Sequence, residues 1–465
     1  MSYPYKITPR PYQRRGCIDA YKRKRYYFAL DMGLGKTKIA LDFVGVLHYF
    51  HKVARSLILC PLNVIPVWED EIEKNWPDKL IDMGYTVLRP GSHKDRWKRS
   101  SVVITNYDYA KRVIQELMEW APDVVILDES HKIKNPHARQ SKIAHRLGAI
   151  CRYAICLSGT PIGNRPFDLW SQFKFLVPDL CVENKLEQNF TDFKNRYGCA
   201  KGFGGFEFKK FRDLPKVARL IKPYVKSAKS GDYLTLPKTN FIEVPVEMGE
   251  KARKLYAQME KEFVAEVNEM TTISAPIVLA KLTKLSQISG GFIRDTETEI
   301  DHPVHRAKLE VLKGICEDLV DQGTKRVVIF ARFLWEIEQI RKTLTECAPD
   351  WTIYEVSGRI KTEGERKLAQ SMFTQDGGAM ICQIATGSVG LNLQAANYCI
   401  FYSLDYSFIN FAQAIKRIHR PGQTLPCFFY LLLCKATLDR RIYSILKGKR
   451  SIADEVMNMV KEMKG

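Results

Sequence analysis

Short runs of apolar, β-branched and aromatic residues alternate with helix-like patterns, and this alternation occurs in two separate parts of the chain. In the first part it predicts strands at Tyr26–Leu30, Ser56–Cys60, Val102–Thr105, Val124–Leu127 and Tyr153–Leu157. Continuous apolar strands separated by helices are typical of a parallel sheet that carries helices on both faces. The first part is therefore predicted to be an α/β domain.

The same alternation returns later, with strands predicted at Val327–Phe330, Ile353–Val356, Ala379–Ile384, Tyr398–Tyr402 and Phe428–Leu433. From about Asp179 to His305 the pattern is helical and charged, with few strand-like runs. The glycine-rich break at Gly202–Gly205 is interpreted as a hairpin in preference to a mobile loop. The predicted fold class is α/β, with parallel-sheet domains at residues 1–180 and 305–465 and a helical insertion at residues 181–304.

Composition adds a size limit and a charge to this picture. A chain of 465 residues exceeds what one hydrophobic core usually supports, which agrees with two or three domains. Lys and Arg outnumber Asp and Glu by 72 to 52, a formal charge of +20. Such an excess favours a polyanionic partner, although proteins that bind membrane surfaces show a similar balance.

The N-terminal segment and the cysteine pattern limit the cellular compartments in which the protein is expected. The segment from Met1 to Arg10 lacks the apolar core of a signal peptide, and no apolar run reaches the roughly 20 residues of a membrane span. We expect a cytoplasmic protein, or a nuclear one if the source is eukaryotic. The 12 cysteines form no CxxC pair, so neither a zinc site nor a disulfide framework is expected.

A glycine-rich loop links the first predicted strand to the apolar helix at Ile39–Leu47. In such a loop, glycines let backbone N–H groups approach phosphate oxygens, and the helix N-terminus adds a favourable dipole. Lys36 is predicted to reach the β- and γ-phosphates, and the Thr37 hydroxyl to bind Mg²⁺. The predicted nucleotide contacts in this P-loop region are Met32, Gly33, Leu34, Gly35, Lys36, Thr37 and Lys38. Leu30 stands where the strict pattern has glycine, so the loop is of the helicase-type variant.

A pair of acids follows another predicted strand, Val124–Leu127. Asp128 is predicted to hold Mg²⁺, directly or through water. Glu129 is predicted to polarise the water that attacks the γ-phosphate. The α/β context and the spacing from Lys36 give this short motif its weight.

Four motifs in order give a family resemblance that covers nearly the whole chain. They are DMGLGKT at 31–37, DESH at 128–131, LSGTP at 157–161 and QAIKRIHRPGQ at 413–423. Together they resemble the motifs of Swi/Snf-type superfamily-two helicases. The resemblance implies two RecA-like lobes in tandem, ATP and Mg²⁺ as cofactors, DNA-dependent ATP hydrolysis, and a minimal bacterial or viral DNA translocase.

The resemblance also implies further contacts. Gln13 is expected to read adenine through its amide, and Gly390 to approach the nucleotide. The expected nucleic-acid contacts are Asn63, Thr105, Asn106, Ser158, Thr160, Thr386 and Gly387. The segment at 386–393 lacks the arginine that the family usually has before its glycines, and Lys226 and Lys229 stand where paired arginines are usual.

The last motif places Gln413, Arg417 and Arg420 at positions i, i+4 and i+7, which is one face of a helix. A guanidinium stays charged and binds phosphate with two N–H groups, so a second domain can use it to stabilise transition-state charge. The resemblance assigns both arginines to the γ-phosphate. We therefore expect ATP to be hydrolysed between the two lobes.

The chain is expected to be a monomeric motor that contacts the backbone of duplex or forked DNA without sequence specificity. Three other functions stay open at this point. A strand-separating or annealing, fork-remodelling helicase is the main alternative. A catalytically inactive nucleic-acid-binding protein and an RNA-directed ATPase are the others. The basic run Lys22–Arg25 is interpreted as a solvated or phosphate-facing turn in preference to a nuclear signal.

Overall fold

The computed structural model describes residues 3–92, 97–162, 165–182, 186–201, 207–269, 275–360, 362–387 and 391–449. The chain forms two compact units, and the boundaries between them lie between Leu234 and Thr235 and between Gly448 and Lys449. The first boundary falls inside residues 181–304, the segment predicted to be a helical insertion.

The first unit contains a seven-stranded parallel sheet whose strand order is β3-β4-β2-β5-β6-β1-β9. Its strands are β1 Arg25–Leu30, β2 Ser56–Cys60, β3 Tyr85–Val87, β4 Val102–Asn106, β5 Val124–Asp128, β6 Tyr153–Leu157 and β9 Val225–Ala228. The central strands are buried along their whole length, as continuous apolar runs predict. A separate antiparallel pair, β7 Gly198–Lys201 and β8 Glu207–Phe211, flanks the glycine-rich break.

Eleven helices accompany these strands in the described part of the first unit. They are α1 Pro11–Arg23, α2 Lys36–Tyr49, α3 Ile65–Asn75, α4 Asp78–Asp82, α5 Tyr107–Ala110, α6 Ile114–Trp120, α7 Arg139–Ile150, α8 Asp168–Leu176, α9 Pro178–Val182, α10 Phe190–Tyr197 and α11 Leu214–Ile221. Apolar side chains of α2 and α3, such as Phe43 and Trp68, belong to one buried cluster with residues of the sheet. This packing fixes the P-loop end of α2 against β1.

The second unit contains a six-stranded parallel sheet in the order β10-β17-β16-β13-β15-β14. Its strands are β10 Thr239–Val246, β13 Arg326–Ala331, β14 Ile353–Val356, β15 Gly378–Gln383, β16 Tyr398–Phe401 and β17 Cys427–Cys434, and a small antiparallel pair is formed by β11 Phe292–Arg294 and β12 Asp301–Pro303. Its helices are α12 Glu250–Glu269, α13 Ala275–Gly290, α14 Ala307–Asp321, α15 Leu334–Cys347, α16 Glu363–Asp376, α17 Ile384–Gly387 and α18 Phe408–Ile418, followed by a helix that includes residues 438–449.

The two predicted parallel sheets are confirmed, and every predicted strand is present to within one residue or so at each end. The intervening segment is less purely helical than the sequence pattern predicts, because β9 extends the first sheet and β10 extends the second. The antiparallel pairing of β7 with β8 agrees with the hairpin interpretation of the break at 202–205, which itself lies outside the described residues. Within the described ranges, none of the helices combines the length and the apolar character that a membrane crossing requires.

Candidate active site

The P-loop leaves the carboxyl end of β1, and its backbone depends on two glycines. Gly33 and Gly35 have φ angles of +84° and +71°, in the left-handed region that side chains rarely adopt. A Cβ atom at Gly35 would lie 2.4 Å from the Nε2 atom of Gln13. Glycine at position 35 therefore permits both the turn and the close approach of α1. Leu34 between the glycines is fully buried and anchors the loop.

Lys36 begins α2, and its ammonium group lies over the loop. The Nζ atom donates to the Leu30 and Asp31 carbonyl oxygens at 2.9 and 3.3 Å. A Cβ atom at Gly159, in the loop after β6, would lie 3.5 Å from the same Nζ atom. The ammonium is therefore held at the edge where the loops after β1 and β6 meet. Thr37 lies half-buried in the first turn of α2, and Met32 is half-buried in the loop.

Lys38, also predicted to contact nucleotide, has a side chain with a different environment. It is buried, forms an ion pair with Asp42 one helical turn along, and lies 5.5 Å from the Tyr5 ring centroid. Burial raises the pKa of Asp42 to about 6, against the opposing effect of Lys38. The side chain of Lys38 thus has a structural partner, and a phosphate contact at this position would fall to its backbone N–H.

Gln13 lies on α1 and is tied to the loop. Its Nε2 atom donates to the Leu34 carbonyl at 3.4 Å, and its Oε1 atom accepts from the Arg10 N–H at 2.9 Å. The neighbouring Tyr12 hydroxyl donates to the same Leu34 carbonyl at 3.0 Å. The side chain predicted to read adenine is therefore positioned beside the P-loop by hydrogen bonds at both ends of its amide.

The acidic pair lies at the carboxyl end of β5. The two carboxylate oxygens of Asp128 accept one hydrogen bond each, from Trp68 Nε1 at 2.9 Å and from the Glu129 N–H at 2.9 Å. Asp128 is only 6% exposed, and burial together with the Glu129 charge raises its pKa to about 6. The site therefore holds a carboxylate that carries too little compensating charge. A cation at this position would relieve that deficit.

Glu129 takes a left-handed backbone conformation with φ of +50°, which turns the chain sharply after the strand. One of its carboxylate oxygens lies 3.2 Å from His131 Nδ1. The same histidine nitrogen lies 3.2 Å from the Ser158 hydroxyl, which accepts from the Thr160 N–H at 3.1 Å. A short polar chain therefore joins the acid after β5 to the loop after β6. It includes Ser158 and Thr160, which are both buried; their predicted contacts with nucleic acid stay predictions.

Sequence reasoning missed a buried polar cluster below this edge. Gln172 of α8 accepts hydrogen bonds from Tyr27 at 2.6 Å and Ser130 at 2.8 Å. Its amide nitrogen donates to the Pro161 carbonyl at 2.8 Å. The cluster thus fixes the loops after β5 and β6 to each other. The signal for it in the sequence was weak, a glutamine among the aromatic residues of α8, which also contains Ser171 and Lys174.

Three predicted DNA contacts lie after β2 and at the end of β4, and their side chains differ in their surroundings. Thr105 is fully buried, and its hydroxyl donates to the Leu88 carbonyl at 2.8 Å. The Asn106 side chain caps α5 by accepting from the Asp108 and Tyr109 N–H groups. Asn63 is half-exposed beside Leu62, which is 65% exposed. Asn63 is therefore the one of the three whose side chain is open to a ligand, and all three assignments stay predictions.

The arginines of the last motif lie in the second unit and share one acceptor. Arg417 Nη1 donates to the Leu391 carbonyl at 3.1 Å, and Arg420 Nη1 lies 3.5 Å from the same oxygen. Helix α18 ends at Ile418, so the prediction that Arg420 lies on the same helical face is wrong. Pro421 follows directly, and a residue before proline is disfavoured in helical conformation. The two guanidiniums still converge, because the chain turns after the helix.

The electrostatics of this arginine pair are unbalanced. Arg417 is 6% exposed. Burial lowers the pKa of Arg420, and among the residues that the structure describes its Nε–H has no hydrogen-bond acceptor. The second sheet edge therefore holds buried positive charge that an anion would stabilise.

The other residues predicted in the second unit are only partly described. Thr386 lies in α17 and donates to Gln383 Oε1 at 3.4 Å, and Gly387 ends that helix. Gly390 lies outside the described residues. Contacts of this segment with nucleotide or DNA stay predictions.

The basic run before β1 is split by the structure. Lys22, Arg23 and Lys24 are exposed, in agreement with a solvated turn. Arg25 instead donates to the Gly148 and Leu176 carbonyls at 3.0 Å and to the Cys151 carbonyl. It therefore caps the ends of α7 and α8, a structural task that the charge pattern did not indicate.

Comparison with known proteins adds the following. The profile of the SNF2-related domain matches residues 19–289, more than half of the chain, and the profile of the helicase conserved C-terminal domain matches residues 307–422. The chain is 24% identical over 462 residues to the uncharacterized ATP-dependent helicase MG018 of Mycoplasma genitalium, covering 96% of this chain and 42% of that protein. It is 25% identical over 465 residues to the DNA annealing helicase and endonuclease ZRANB3 of Homo sapiens, covering 97% of this chain and 40% of that protein.

The chain thus spans about two fifths of the length of these two relatives. Among solved structures, it is similar to the Sulfolobus solfataricus SWI2/SNF2 ATPase core in complex with dsDNA. The sequence identity is 23%, the TM-score is 0.46, and the match covers 100% of this chain and 97% of that chain.

Proposed function

Since the chain belongs to the family of the SNF2-related domain, we propose that it hydrolyses ATP and uses the energy to move along double-stranded DNA. One observation carries the proposal. Lys36, Asp128 and the loop at Gly159 meet at the carboxyl edge of the first sheet, with Glu129 beside them. A cation for phosphate, a carboxylate for a metal and a second acid for water are the groups that phosphoryl transfer needs.

ATP is the substrate in this proposal, and Lys36 is its main electrostatic contact in the first unit. In the structure its ammonium is satisfied by two loop carbonyls, which are weaker acceptors than phosphate oxygens. Bound phosphate would replace them without moving the α2 backbone. The P-loop N–H groups and the N-terminus of α2 would supply the remaining donors.

Mg²⁺ fits the residues that are available for it. Thr37 and Asp128 offer hard oxygen donors, and a cation would oppose the burial and the Glu129 charge that raise the pKa of Asp128. When bound, the metal would neutralise charge on the phosphate oxygens. In the described ranges no cluster of three or more His, Cys, Asp or Glu residues is built for a metal. Magnesium commonly binds through one or two protein ligands with water and phosphate, so this arrangement suits it.

Glu129 is proposed to orient the attacking water and to accept its proton. His131 beside it restricts the orientation of the carboxylate, and the link from His131 to Ser158 would make that orientation responsive to the loop after β6. Arg417 and Arg420 are proposed to stabilise the transition-state charge from the second unit. Their shared acceptor and the buried Arg420 Nε–H support a role as anion ligands.

DNA is proposed as the track because the chain carries a formal charge of +20, which favours a polyanionic partner. Contacts to phosphates are independent of base sequence and weaken steeply with salt. Of the predicted contacts Asn63, Thr105 and Asn106, only Asn63, in the turn after β2, is not buried and so has a side chain open to such a contact.

The test is the rate of ATP hydrolysis with no nucleic acid, with duplex DNA, with single-stranded DNA and with RNA, at two salt concentrations. We expect stimulation of about tenfold or more by duplex DNA, lost as salt rises. A triplex-displacement assay on the same protein should then show ATP-dependent displacement. Stimulation by RNA alone, or no ATP hydrolysis by purified protein under any of these conditions, would refute the proposal.

A second candidate function is annealing or remodelling of forked DNA. The similarity to the human DNA annealing helicase and endonuclease over 97% of this chain favours it. Forked substrates separate the two functions. Annealing of complementary strands or reversal of a fork, without displacement of a triplex strand, would support the second function against the first.

A further inference from the structure

The segment Ala228–Leu234, here named the strap, is hydrogen-bonded to the P-loop. The Asp31 N–H donates to the Ala228 carbonyl at 3.0 Å, which continues the pairing of β1 with β9 into the loop. The Ser230 N–H donates to Asp31 Oδ2 at 3.1 Å, and its hydroxyl donates to the Met32 carbonyl at 3.3 Å. Ser230 is 8% exposed, so these bonds are largely shielded from water.

The strap also reaches the far side of the loop through Tyr233. The Tyr233 ring stacks on the Tyr12 ring, with centroids 4.3 Å apart and planes at 23°. The Tyr12 hydroxyl in turn donates to the Leu34 carbonyl at 3.0 Å. A tight turn connects the two contacts, because the Tyr233 and Leu234 N–H groups both donate to the Ser230 carbonyl. The strap therefore contacts the P-loop directly at Asp31 and Met32, and indirectly at Leu34.

The strap ends where the first unit ends. Thr235 is the first residue of the second unit, and β10 of the second sheet begins at Thr239. Few residues therefore separate a segment bonded to the phosphate loop from the edge strand of the other sheet. A displacement of the strap would therefore pass to β10, because the few residues between them can absorb little of it.

The P-loop carbonyl of Asp31 accepts from the Lys36 ammonium at 3.3 Å. When phosphate takes over the Lys36 ammonium, that carbonyl loses a partner while the Asp31 N–H and carboxylate stay bonded to the strap. Asp31, one of the two residues whose carbonyl would lose the ammonium, is thus also the residue that the strap holds at two atoms.

We propose that the strap couples nucleotide binding to the second unit, with Ser230 and Tyr233 as the positioning residues of this coupling. The inference rests on the proposed function, since it concerns the nucleotide that Lys36 binds. Coupling of this kind is reciprocal, so a ligand that acts on the second unit alters the P-loop through the same contacts.

The first experiment measures hydrogen exchange of the full chain with and without a non-hydrolysable ATP analogue and Mg²⁺. We expect exchange to slow by about tenfold or more both in peptides covering residues 31–39 and in peptides covering 229–235. Protection at 31–39 without protection at 229–235 would contradict the coupling proposed for the strap. No protection at 31–39 would instead refute the nucleotide site, so the two failures are distinguishable.

The second experiment compares the double variant Ser230→Ala, Tyr233→Ala with Ser227→Ala, a serine on β9 just before the strap. In the double variant we expect stimulation of ATP hydrolysis by duplex DNA to fall by about fivefold or more, while the rate without DNA and the KM for ATP change by less than about twofold. Ser227→Ala should match the unaltered protein. Ser230→Ala with Tyr233→Phe should recover much of the stimulation, because it keeps the ring stack.

Two results of this experiment would contradict the coupling proposed for the strap. One is unchanged stimulation in a double variant whose melting temperature is close to that of the unaltered protein. The other is an equal loss of the rates with and without DNA, which indicates damage to the P-loop itself. Absence of stimulation in the unaltered protein would refute the proposed function instead.

Discussion

The two sheets end in edges of opposite charge, and each edge leaves its charge incompletely compensated. At the edge of the first sheet, burial and the Glu129 charge raise the pKa of Asp128. At the edge of the second, Arg417 and Arg420 share one main-chain carbonyl, and burial lowers the pKa of Arg420. Both shifts disfavour the charged form, so each edge is stabilised by what it would bind.

The difference teaches what each unit can recognise. The buried carboxylate of Asp128 at one edge suits a cation, and the guanidiniums of Arg417 and Arg420 at the other suit an anion. A metal–triphosphate presents both kinds of charge. Lys36 is the exception at the first edge, since its ammonium gives that edge a phosphate ligand of its own.

The largest expected effect comes from disabling the first edge. Glu129→Gln removes the proton acceptor while keeping its shape, and Lys36→Ala removes the phosphate cation. Each should lower the DNA-stimulated rate of ATP hydrolysis by about 100-fold or more, with DNA binding largely retained. Lys52→Ala, an exposed lysine of the same unit, is the control. Rates within threefold or so of the unaltered protein in both variants would contradict the assigned site.

A smaller effect is expected from changing the shape of the positive edge without its charge. Arg420→Lys keeps a cation but loses the planar fork, so kcat should fall by about tenfold to 100-fold while the KM for ATP changes little. Steady-state kinetics measure this. Lys416→Arg, a basic position of the same helix end, serves as the matched control. A raised KM with an unchanged kcat would instead show that Arg420 contributes only ground-state binding.

The smallest expected effect sharpens the comparison through pH. Burial and the Glu129 charge raise the pKa of Asp128 to about 6, and bound Mg²⁺ would lower it, so its carboxyl should gain a proton and ATP hydrolysis should decline at a pH below that value. The hydrogen bond from Trp68 lowers this pKa, so Trp68→Phe should raise it and move the acid limb of the rate profile upward by roughly 0.5 to 1 pH unit. Bound Mg²⁺ moves both profiles to lower pH. An acid limb at the same pH in both proteins would show that Asp128 does not set it.

Much of the fold follows from the sequence because buried parallel strands leave continuous apolar runs. Strands such as Ser56–Cys60 and Tyr153–Leu157 have the predicted bounds. Strands β9 and β10 escaped prediction because they lie at sheet edges and are only half-buried, so their polar residues hide the pattern. Edge strands are decided by neighbours that are distant in sequence.

The parts of the site that consist of residues adjacent in sequence were predictable. The contacts between residues that are distant in sequence were not. The P-loop and the acidic pair are local patterns. The bond from Trp68 to Asp128 spans 60 residues, and the one from Tyr27 to Gln172 spans 145. The end of α18 before Arg420 depends on Pro421, a breaker that the spacing argument ignored.

The position of β1 has a consequence during synthesis of the protein. This strand is synthesised well before its partners in the sheet, β6 and β9, which begin at Tyr153 and Val225. At translation speeds of about 5–20 residues per second, the apolar side chains and the backbone of β1 lack their partner strands for on the order of ten seconds. During that interval the newborn chain exposes an unpaired strand, and its dependence on chaperones should be greatest then.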